Sequence, residues 1–325
     1  DMTGDTGDVQ PVHISDLLPT YMETVQKRMD GEAGTRNLKT GIDELDDATG
    51  GINLQDLIVV AGRPGMGKTE FALKIVDGVT AGGALIFSME MAAAQIVERS
   101  LAGSGNMSVS RLRNPLDMQD EDWARFTAAM ETMNGRDIWI VDATDLTIEQ
   151  IRAVAETHKR RYPHLAMIVV DYLGLIKKPK AERNDLAIAH ISRNLKTMAM
   201  RLHTPTFALS QLSRAVDSRP AGQRRPVMSD LRDSGSIEQD ADSIMFLYRD
   251  EVYNPESPAA GIAEIILGKS RFSAAGAVIY QEFKNGHFLH LDQHVGKEKT
   301  RIQLEAAKPR KQPRKYAEKY NTDSF

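Results

Sequence analysis

A glycine-rich run between a predicted strand and a predicted helix has the spacing of a phosphate-binding loop. The apolar run 57–61 precedes it, and a helical pattern begins at Lys68. In this context backbone N–H groups can turn toward phosphate oxygens, and the helix N-terminus adds a favourable dipole. The lysine can reach the β- and γ-phosphates, and the threonine hydroxyl can bind Mg²⁺. The sequence therefore predicts a site for ATP and Mg²⁺ at a P-loop made of Gly62, Arg63, Pro64, Gly65, Met66, Gly67, Lys68 and Thr69.

Three polar side chains, Asp171, Glu90 and Gln211, each follow an apolar run that has the character of a buried strand. Such strand ends meet at one edge of a parallel sheet, where ligands bind. We expect Asp171 to hold Mg²⁺ there, as a Walker-B acid does. Glu90 could accept a proton from the water that attacks the γ-phosphate, or it could complement a helix dipole. Gln211 could sense the γ-phosphate or orient water, or it could be ordinary loop polarity.

The order of predicted elements indicates an α/β fold. From residue 57 to residue 210 strands and helices alternate, which favours a mostly parallel sheet flanked by helices. After residue 240, three or four strands follow without helices between them, which predicts an antiparallel C-terminal extension. Residues 214–240 are rich in Arg, Asp, Ser, Gly and Pro, so we expect a long mobile loop there.

The ends of the chain differ from its middle. Residues 1–12 are polar and Gly-rich, and we predict that they are disordered. Within 13–40, the apolar residues of Ile14–Met29 recur on one stripe, which predicts a linker helix and a tether. This stripe must be buried against its own domain or against a neighbouring subunit. We assign residues 41–295 to the main ATPase domain and 296–325 to a basic, disordered tail.

Composition excludes several classes of protein. The chain has 325 residues, 41% of them hydrophobic and 26% charged, which is a globular balance. It shows neither a signal peptide nor an apolar run long enough to span a bilayer, and it has no cysteine, so we expect a cytoplasmic protein without disulfides. The net charge is −4, although residues 297–319 carry nine basic and three acidic residues. That segment contributes +6 and the remainder −10, so nucleic-acid binding would need local basic patches.

Five further segments, which follow one another in this order along the chain, resemble the motifs of one known family. These are 87–91, 169–173, 209–212, the fourteen-residue run 229–242, and 268–271. Together they are similar to the C-terminal motor domain of the DnaB-type replicative DNA helicases, over about residues 13–292. The resemblance implies a RecA-like P-loop NTPase core. It also implies a hexameric ring that hydrolyses NTP at subunit interfaces, translocates 5′ to 3′ on single-stranded DNA, unwinds duplex, and meets a helicase loader and a primase.

The resemblance assigns roles at the nucleotide site. It implies that Lys68 and Thr69 bind nucleotide and Mg²⁺, that Glu90 is the catalytic carboxylate, that Asp171 is the Walker-B acid and that Gln211 is the γ-phosphate sensor. Each of these residues matches the family motif at its own position. The resemblance thus favours the catalytic interpretation of Glu90 and Gln211 over the structural one.

The resemblance also assigns residues outside that site. Lys269 and Arg271 match the pair that reaches into the neighbouring subunit's site, and Arg232, Asp233 and Gly235 match the loop that touches the DNA sugar-phosphate backbone. The alternative without a functional role is that Arg271 is a surface arginine at a strand end.

Two departures from the family pattern and one basic segment qualify these assignments. Asp233 stands where the family commonly has Glu, and 272–274 (Phe-Ser-Ala) replace the usual Asn-Gly-Pro. A group of basic residues in the preceding loop could face the DNA channel or solvent: Arg214, Arg219, Arg224 and Arg225. The linker helix in such rings packs on the adjacent subunit, which favours that position for Ile14–Met29.

Two other functions are compatible with a RecA-like ATPase. A recombinase pairs strands as a filament, and the run 229–242 argues against it. A KaiC-like ATPase switch changes protein partners without DNA. Stimulation of ATP turnover by single-stranded DNA separates a motor from such a switch, and strand displacement separates a helicase from a recombinase.

Overall fold

The computed structural model describes residues 11–30, 37–80, 82–178, 184–231, 234–271 and 275–307. Within these ranges nine strands form one sheet: β1 (Leu57–Gly62), β2 (Gly83–Ser88), β3 (Ile138–Asp142), β4 (Leu165–Asp171), β5 (Thr206–Gln211), β6 (Ser243–Tyr248), β7 (Ile262–Ser270), β8 (Val278–Lys284) and β9 (His287–Leu289). Their order is β3-β2-β4-β5-β1-β6-β7-β8-β9. The pairs from β3 to β6 are parallel and those from β6 to β9 are antiparallel. The predicted α/β fold with an antiparallel C-terminal extension is confirmed.

Helices pack on both faces of this sheet. The helices in the described part of the chain are α1 (Ile14–Met29), α2 (Asp43–Thr49), α3 (Lys68–Gly78), α4 (Ala93–Ser104), α5 (Val109–Arg113), α6 (Asp120–Asn134), α7 (Ile148–Arg161), α8 (Asn184–Leu202), α9 (Ser234–Asp240) and α10 (Gln293–Ala306). In β1, Val60 joins the apolar core that contains Phe71 of α3, whereas Val59 joins the core that contains Leu195 of α8. Both faces of the strand are therefore buried, which explains its uninterrupted apolar sequence.

The predicted linker helix is present as α1, and its apolar stripe does not pack on the rest of the described chain. Ile14, Leu17, Leu18 and Tyr21 are each more than half exposed. Exposed apolar side chains at helical spacing usually mark a surface that another molecule covers. Burial of the stripe against its own domain is therefore not what the structure has. Docking on a neighbouring subunit stays a prediction.

The prediction of a long mobile loop at 214–240 requires correction, because the described part of this segment contains short helices and ion pairs with buried acids. It contains the short 3₁₀ helices Arg214–Val216 and Met228–Asp230, followed by α9. Arg219 Nη1 donates to the buried Asp230 at 2.9 Å, and Arg225 Nε donates to the buried Glu264 at 2.7 Å. Two of the four arginines considered for DNA binding are therefore committed to internal carboxylates.

The disordered tail predicted from residue 296 is wrong for residues 296–306, which belong to α10. Asp292 caps this helix by accepting hydrogen bonds from the N–H groups of His294 and Val295 at 2.8 and 3.1 Å. Its buried positions are Gly296, Thr300 and Gln303. These residues produce no apolar period, so the usual signal of a packed helix is missing. Residues 308–325 lie outside the described chain, as do residues 1–10 of the segment 1–12 that the sequence predicts to be disordered.

A buried ion pair joins β9 to α3. His287 and Glu70 are both buried, and His287 Nδ1 lies 3.3 Å from Glu70 Oε2. His287 Nε2 lies 2.7 Å from the carbonyl oxygen of Met107, which can only accept, so that nitrogen carries a proton. Both ring nitrogens therefore donate when the ring is charged. Burial opposes this charge, but the hydrogen bonds to Glu70 and Met107 outweigh burial and raise the pKa of His287 above its usual value.

The raised pKa of His287 predicts that stability falls with rising pH. A group whose pKa is higher in the folded state stabilises the fold fully below its unfolded pKa of about 6.5, and this contribution is lost as pH rises through the folded pKa. His287→Gln should therefore lower the free energy of unfolding by roughly 1–3 kcal/mol at pH 6. The difference from the wild type should shrink at higher pH, as measured by urea unfolding from pH 6 to 9.

The exposed His290 provides the matched control. It lies 3.0 Å from Glu44, with its side chain 76% exposed. His290→Gln should cost less than about 1 kcal/mol. A difference between wild type and His287→Gln that stays constant or grows with pH would refute the charged form of His287.

Candidate functional site

A cleft of about 360 Å³ opens at the carboxyl ends of the central parallel strands. Its walls are formed by Pro64, Gly65, Gly67, Lys68, Thr69, Glu70, Glu90, Met91, Arg99, Asp171, Tyr172, Gln211, Phe283 and Gly286. The fold therefore brings together five side chains that the sequence singled out: Lys68, Thr69, Glu90, Asp171 and Gln211. Of the other P-loop residues, Gly62 and Met66 are buried beneath the cleft, and Arg63 lines a different cavity.

The turn that precedes α3 depends on glycine. Gly65 has a φ of 81° and Gly67, the N-cap of α3, has a φ of 91°. L-residues with a side chain rarely adopt this left-handed region, whereas glycine does so at little cost. The turn carries the chain from the end of β1 into a helix whose N-terminus faces the cleft, which is the arrangement that binds phosphate.

The lysine and threonine of the P-loop have partners that suit nucleotide and metal. Lys68 Nζ donates to the carbonyl oxygen of Gly62 at 3.1 Å, so the ammonium lies over the loop. Thr69 Oγ1 donates to Asp171 Oδ2 at 2.8 Å. This contact joins the two oxygens that the sequence assigned to Mg²⁺, one from α3 and one from the end of β4. Hydroxyl and carboxylate oxygens are the ligands that Mg²⁺ prefers.

Burial makes charge costly on both sides of the cleft. It lowers the pKa of Lys68, although Asp171 and Glu90 act in the opposite direction. It also raises the pKa of Asp171, against the hydrogen bond from Thr69. An anion beside Lys68 and a cation beside Asp171 would each relieve this cost. The electrostatics of the cleft therefore fit a phosphate group bound together with a divalent cation.

Glu90 lies exposed in the cleft, between β2 and α4. The alternative role, as an acid that complements the dipole of α4, has little support. Glu90 lies two residues before the N-cap Ala92, and the first turn of α4 contains no acid. Asp142 of β3 instead accepts the hydrogen bond from the Ala93 N–H at 2.9 Å. Glu90 thus remains available to a ligand in the cleft.

Gln211 occupies the last position of β5, directly opposite Gly62 at the end of β1. This register places its amide beside the P-loop and across the cleft from Glu90. The side chain lines the cleft, where it could contact a bound ligand.

Several residues that form the cleft were not predicted from the sequence. Arg99 of α4 contributes a guanidinium that is held by the carboxylate of Glu70. Phe283 and Gly286 reach the cleft from the β8–β9 hairpin, more than 200 residues after the P-loop. These residues belong to no local motif, and only the folded sheet brings them to the P-loop. No signal in a single sequence could have identified them.

Lys269 and Arg271 do not lie at this cleft. Lys269 lies near the end of the antiparallel β7, and Arg271 directly follows it. Ser270 pairs with Ser243 at the start of β6, so both residues lie at the edge where the parallel strands begin. Lys269 Nζ donates to the carbonyls of Glu238 and Ala241 at 2.5 and 2.6 Å. The length of a six-residue strand, roughly 20 Å, separates this edge from the cleft.

Of the predicted DNA residues, Arg232 and Asp233 lie outside the described residues. Gly235 lies in α9, where a Cβ would meet nothing within 4 Å. The described neighbours define where the segment starts: Leu212 and Leu231 form an antiparallel bridge. Leu212 directly follows Gln211, and Leu231 directly precedes the segment 232–233. The bridge therefore joins the residue after Gln211 to the residue before that segment.

A second cavity of about 780 Å³ adjoins the first cleft. Its lining includes Gln211, Lys178 and Arg214.

Within the described ranges, no helix is long and apolar enough to cross a membrane. Within the same ranges, no group of three or more His, Cys, Asp or Glu could hold a metal ion. Because Mg²⁺ is commonly bound by one or two protein ligands together with substrate phosphates, this absence does not argue against Thr69 and Asp171 as its ligands.

Curated relatives of this chain are replicative helicases. The replicative DNA helicase DnaB of Pasteurella multocida (strain Pm70) is 41% identical over 280 residues, which cover 84% of this chain and 60% of the relative. The DnaB of Geobacillus stearothermophilus is 41% identical over 271 residues, covering 82% of this chain and 59% of the relative. The chain thus spans about three fifths of the length of the curated relatives it matches.

Solved structures and a family model agree with these relatives. One similar structure, described as an ATPase domain, has a TM-score of 0.79 and 32% identity, and the match covers 87% of this chain and all of that one. Residues 37–288 match the family model of the DnaB-like helicase C-terminal domain. This match covers more than three quarters of the chain and includes the whole cleft. The chain therefore belongs to the DnaB-like helicase C-terminal domain family.

Proposed function

We propose that the chain is an ATP-dependent replicative DNA helicase motor that acts in the cytoplasm. As a hexameric ring it hydrolyses ATP, translocates 5′ to 3′ on single-stranded DNA and unwinds duplex. The observation that carries the proposal is the convergence of Lys68, Thr69, Glu90, Asp171 and Gln211 on one cleft of a DnaB-like fold. The replicative helicases that are about 40% identical to it support the same activity.

Each residue of the cleft has its own role in the proposed hydrolysis. Lys68 binds the β- and γ-phosphate oxygens, and Thr69 and Asp171 hold Mg²⁺. The bound ion would neutralise negative charge on the phosphates. Glu90 accepts a proton from the attacking water, and Gln211 orients that water or contacts the γ-phosphate. These groups lie in a half-buried site, where electrostatic stabilisation is stronger than in bulk water.

The position of Arg271 supports the proposed ring. Its side chain is 54% exposed at the edge opposite the cleft, so it can contact another subunit but not its own nucleotide. We infer that Lys269 and Arg271 reach the γ-phosphate held by the adjacent protomer. The exposed apolar stripe of α1 supports a second contact with a neighbouring copy.

DNA binding is assigned to the segment that follows Leu231. Arg232, Asp233 and Gly235 contact the sugar-phosphate backbone, which carries no base information. One similar structure, with a TM-score of 0.77, 33% identity and coverage of 87% of this chain and 68% of that one, is described as a DnaB-like replicative helicase with its interactions with primase. A primase and a helicase loader are accordingly the proposed protein partners.

The first prediction for this function is ATP turnover that single-stranded DNA stimulates. Assembled protein should displace a strand from a forked duplex with a 5′ tail when ATP is present. Lys68→Ala should abolish turnover and unwinding, while Glu90→Gln should bind ATP but hydrolyse it at least about 100-fold more slowly, in keeping with the contribution of a general base. Turnover is measured by phosphate release, and binding with a fluorescent ATP analogue.

Circular dichroism and a thermal melt control for the fold of both variants. Assembled protein that neither responds to single-stranded DNA nor displaces a strand would rule out the helicase. Hydrolysis by Glu90→Gln at the wild-type rate would remove Glu90 from the reaction.

The second prediction concerns salt and DNA. If Arg232 contacts phosphates, Arg232→Ala should weaken binding to all single-stranded sequences alike and lower the slope of log K against log salt by about 0.7 for each phosphate that is no longer neutralised. Fluorescence anisotropy with oligo-dT and a mixed sequence at several salt concentrations measures both effects. Deleting residues 308–325, which contain six basic and two acidic residues, is the control for the tail. An unchanged slope in Arg232→Ala would exclude Arg232 from the interface.

The third prediction is that catalysis needs two subunits. An arginine that reaches a neighbour's γ-phosphate contributes about 10³–10⁵ in rate. Arg271→Ala should therefore bind ATP normally and turn it over roughly 10³-fold more slowly. Mixed with Lys68→Ala, it should recover activity, because the two inactive proteins together rebuild a site with an intact P-loop and an intact arginine.

The control is Arg301→Ala, since Arg301 of α10 is 55% exposed and also pairs with carboxylates. That variant should retain wild-type turnover. A lack of recovery in mixtures shown by native mass spectrometry to contain both variants would argue against a shared site.

A further inference from the structure

One P-loop residue faces away from the nucleotide cleft. The side chain of Arg63 is only 11% exposed and belongs to the lining of the second cavity. Its Nε lies 3.0 Å from each carboxylate oxygen of Asp217, and its Nη2 lies 2.5 Å from Oδ2. Its Nη1 donates to the carbonyl oxygen of Leu212 at 2.9 Å. The guanidinium thus binds the segment after β5 at two separate points.

Asp217 is held from its other side by a tyrosine. Tyr253 Oη donates to Asp217 Oδ1 at 2.8 Å, and the guanidinium of Arg224 lies 4.9 Å from the centre of the Tyr253 ring. The hydrogen bonds from Arg63 hold the pKa of Asp217 below its usual value. Burial and the bond to Asp217 raise the pKa of Tyr253 to about 12. Asp217 therefore keeps its charge and its position throughout the neutral range.

The segment that Arg63 holds is closed at its base. Leu212 and Leu231 form the antiparallel bridge, and the Ser213 N–H donates to the carbonyl of Asp230 at 2.9 Å. Residues 213–230 thus form a loop whose two ends are hydrogen-bonded together. One end continues from Gln211 in the nucleotide cleft, and the other leads into 232–235, the proposed DNA contact.

The P-loop end of this connection is held by the lysine that would bind phosphate. Lys68 Nζ lies 3.1 Å from the carbonyl of Gly62 and 3.5 Å from that of Arg63. If Lys68 turned toward phosphate oxygens, these carbonyls would lose a charged donor, and the backbone at Arg63 would be free to shift. A bidentate contact between a guanidinium and a carboxylate has a fixed geometry. A shift of Arg63 would therefore move Asp217 and Leu212 with it.

We propose that the Arg63–Asp217 contact is the positioning element that couples the nucleotide site to the DNA-contacting segment after Leu231. The inference rests on the proposed function and deepens it: Asp217 touches neither nucleotide nor DNA, but fixes the distance between the P-loop and the base of the 213–230 loop. Because the coupling is an equilibrium property, DNA and nucleotide must affect each other's binding by the same factor.

The test is Asp217→Asn, which keeps the shape of the side chain and removes its charge. Basal ATP turnover and the KM for ATP should stay close to those of the wild type. Stimulation by oligo-dT should fall at least about fivefold, the lower end of typical coupling between sites. The gain in oligo-dT affinity caused by a non-hydrolysable ATP analogue should also fall, and the gain in analogue affinity caused by oligo-dT should fall by the same factor as that gain. Asp217→Glu, which restores the carboxylate, should recover most of the coupling.

Two further variants separate coupling from stability. Glu298→Gln breaks a contact of similar geometry on α10, where Arg301 donates from Nε at 2.9 Å and from Nη2 at 2.6 Å, and it should leave stimulation unchanged. Tyr253→Phe removes one hydrogen bond to Asp217 but leaves the arginine contact, so it should reduce stimulation by less than Asp217→Asn does.

Wild-type stimulation and wild-type analogue–DNA coupling in Asp217→Asn would overturn the proposal. A parallel fall of basal and stimulated turnover with a lower melting temperature would also overturn it, because the contact would then serve stability alone. An unstimulated wild type would instead refute the proposed function, and the coupling role with it.

Discussion

A phosphate group can approach the backbone closely only where no side chain intervenes. This constraint determines the structure of the loop that follows β1. At Gly67 a Cβ would lie 3.1 Å from both Phe283 and Phe288, in addition to the strain of a positive φ. The two rings pack edge to face with centroids 5.1 Å apart, and Phe288 packs on Phe71 of α3 at 5.4 Å. The β8–β9 hairpin is therefore a wall of the nucleotide cleft, and the antiparallel extension that forms it is part of the site.

The same extension also positions the proposed intersubunit arginine. Because β7 reverses direction beside β6, the residues that follow it lie at the edge where β1 begins. There the buried carboxylate of Asp242 accepts hydrogen bonds from the Leu57 N–H at 2.8 Å and from Lys196 at 2.7 Å, and Arg271 Nε lies 3.1 Å away. One acid thus joins the start of β1 to the proposed intersubunit arginine. The polarity of the sheet separates the two halves of the proposed catalytic set, and a second copy is the simplest way to unite them.

The sequence was informative where local chemistry determines structure. The apolar runs predicted the strands, and the glycine spacing with three strand-end side chains predicted five residues that the fold brings to one cleft. It was uninformative where contacts join distant segments. Arg99 and Phe283 have no local pattern, and Arg225 resembled a solvated arginine because its partner Glu264 lies 39 residues further along the chain. The helix α10 was missed because its buried face consists of Gly, Thr and Gln.

The internal pairing of arginines limits how the proposed motor can hold DNA. Because Arg219 and Arg225 are neutralised by buried acids, these two arginines would add little to the affinity for DNA. If each subunit of the proposed ring contributes few phosphate contacts, each contact alone is weak and dependent on salt. Firm binding would then come from several subunits that engage one strand together, since linked sites raise affinity without new contacts. Weak contacts at each subunit also allow one protomer to release the backbone while the others hold it, which stepwise movement along a strand requires.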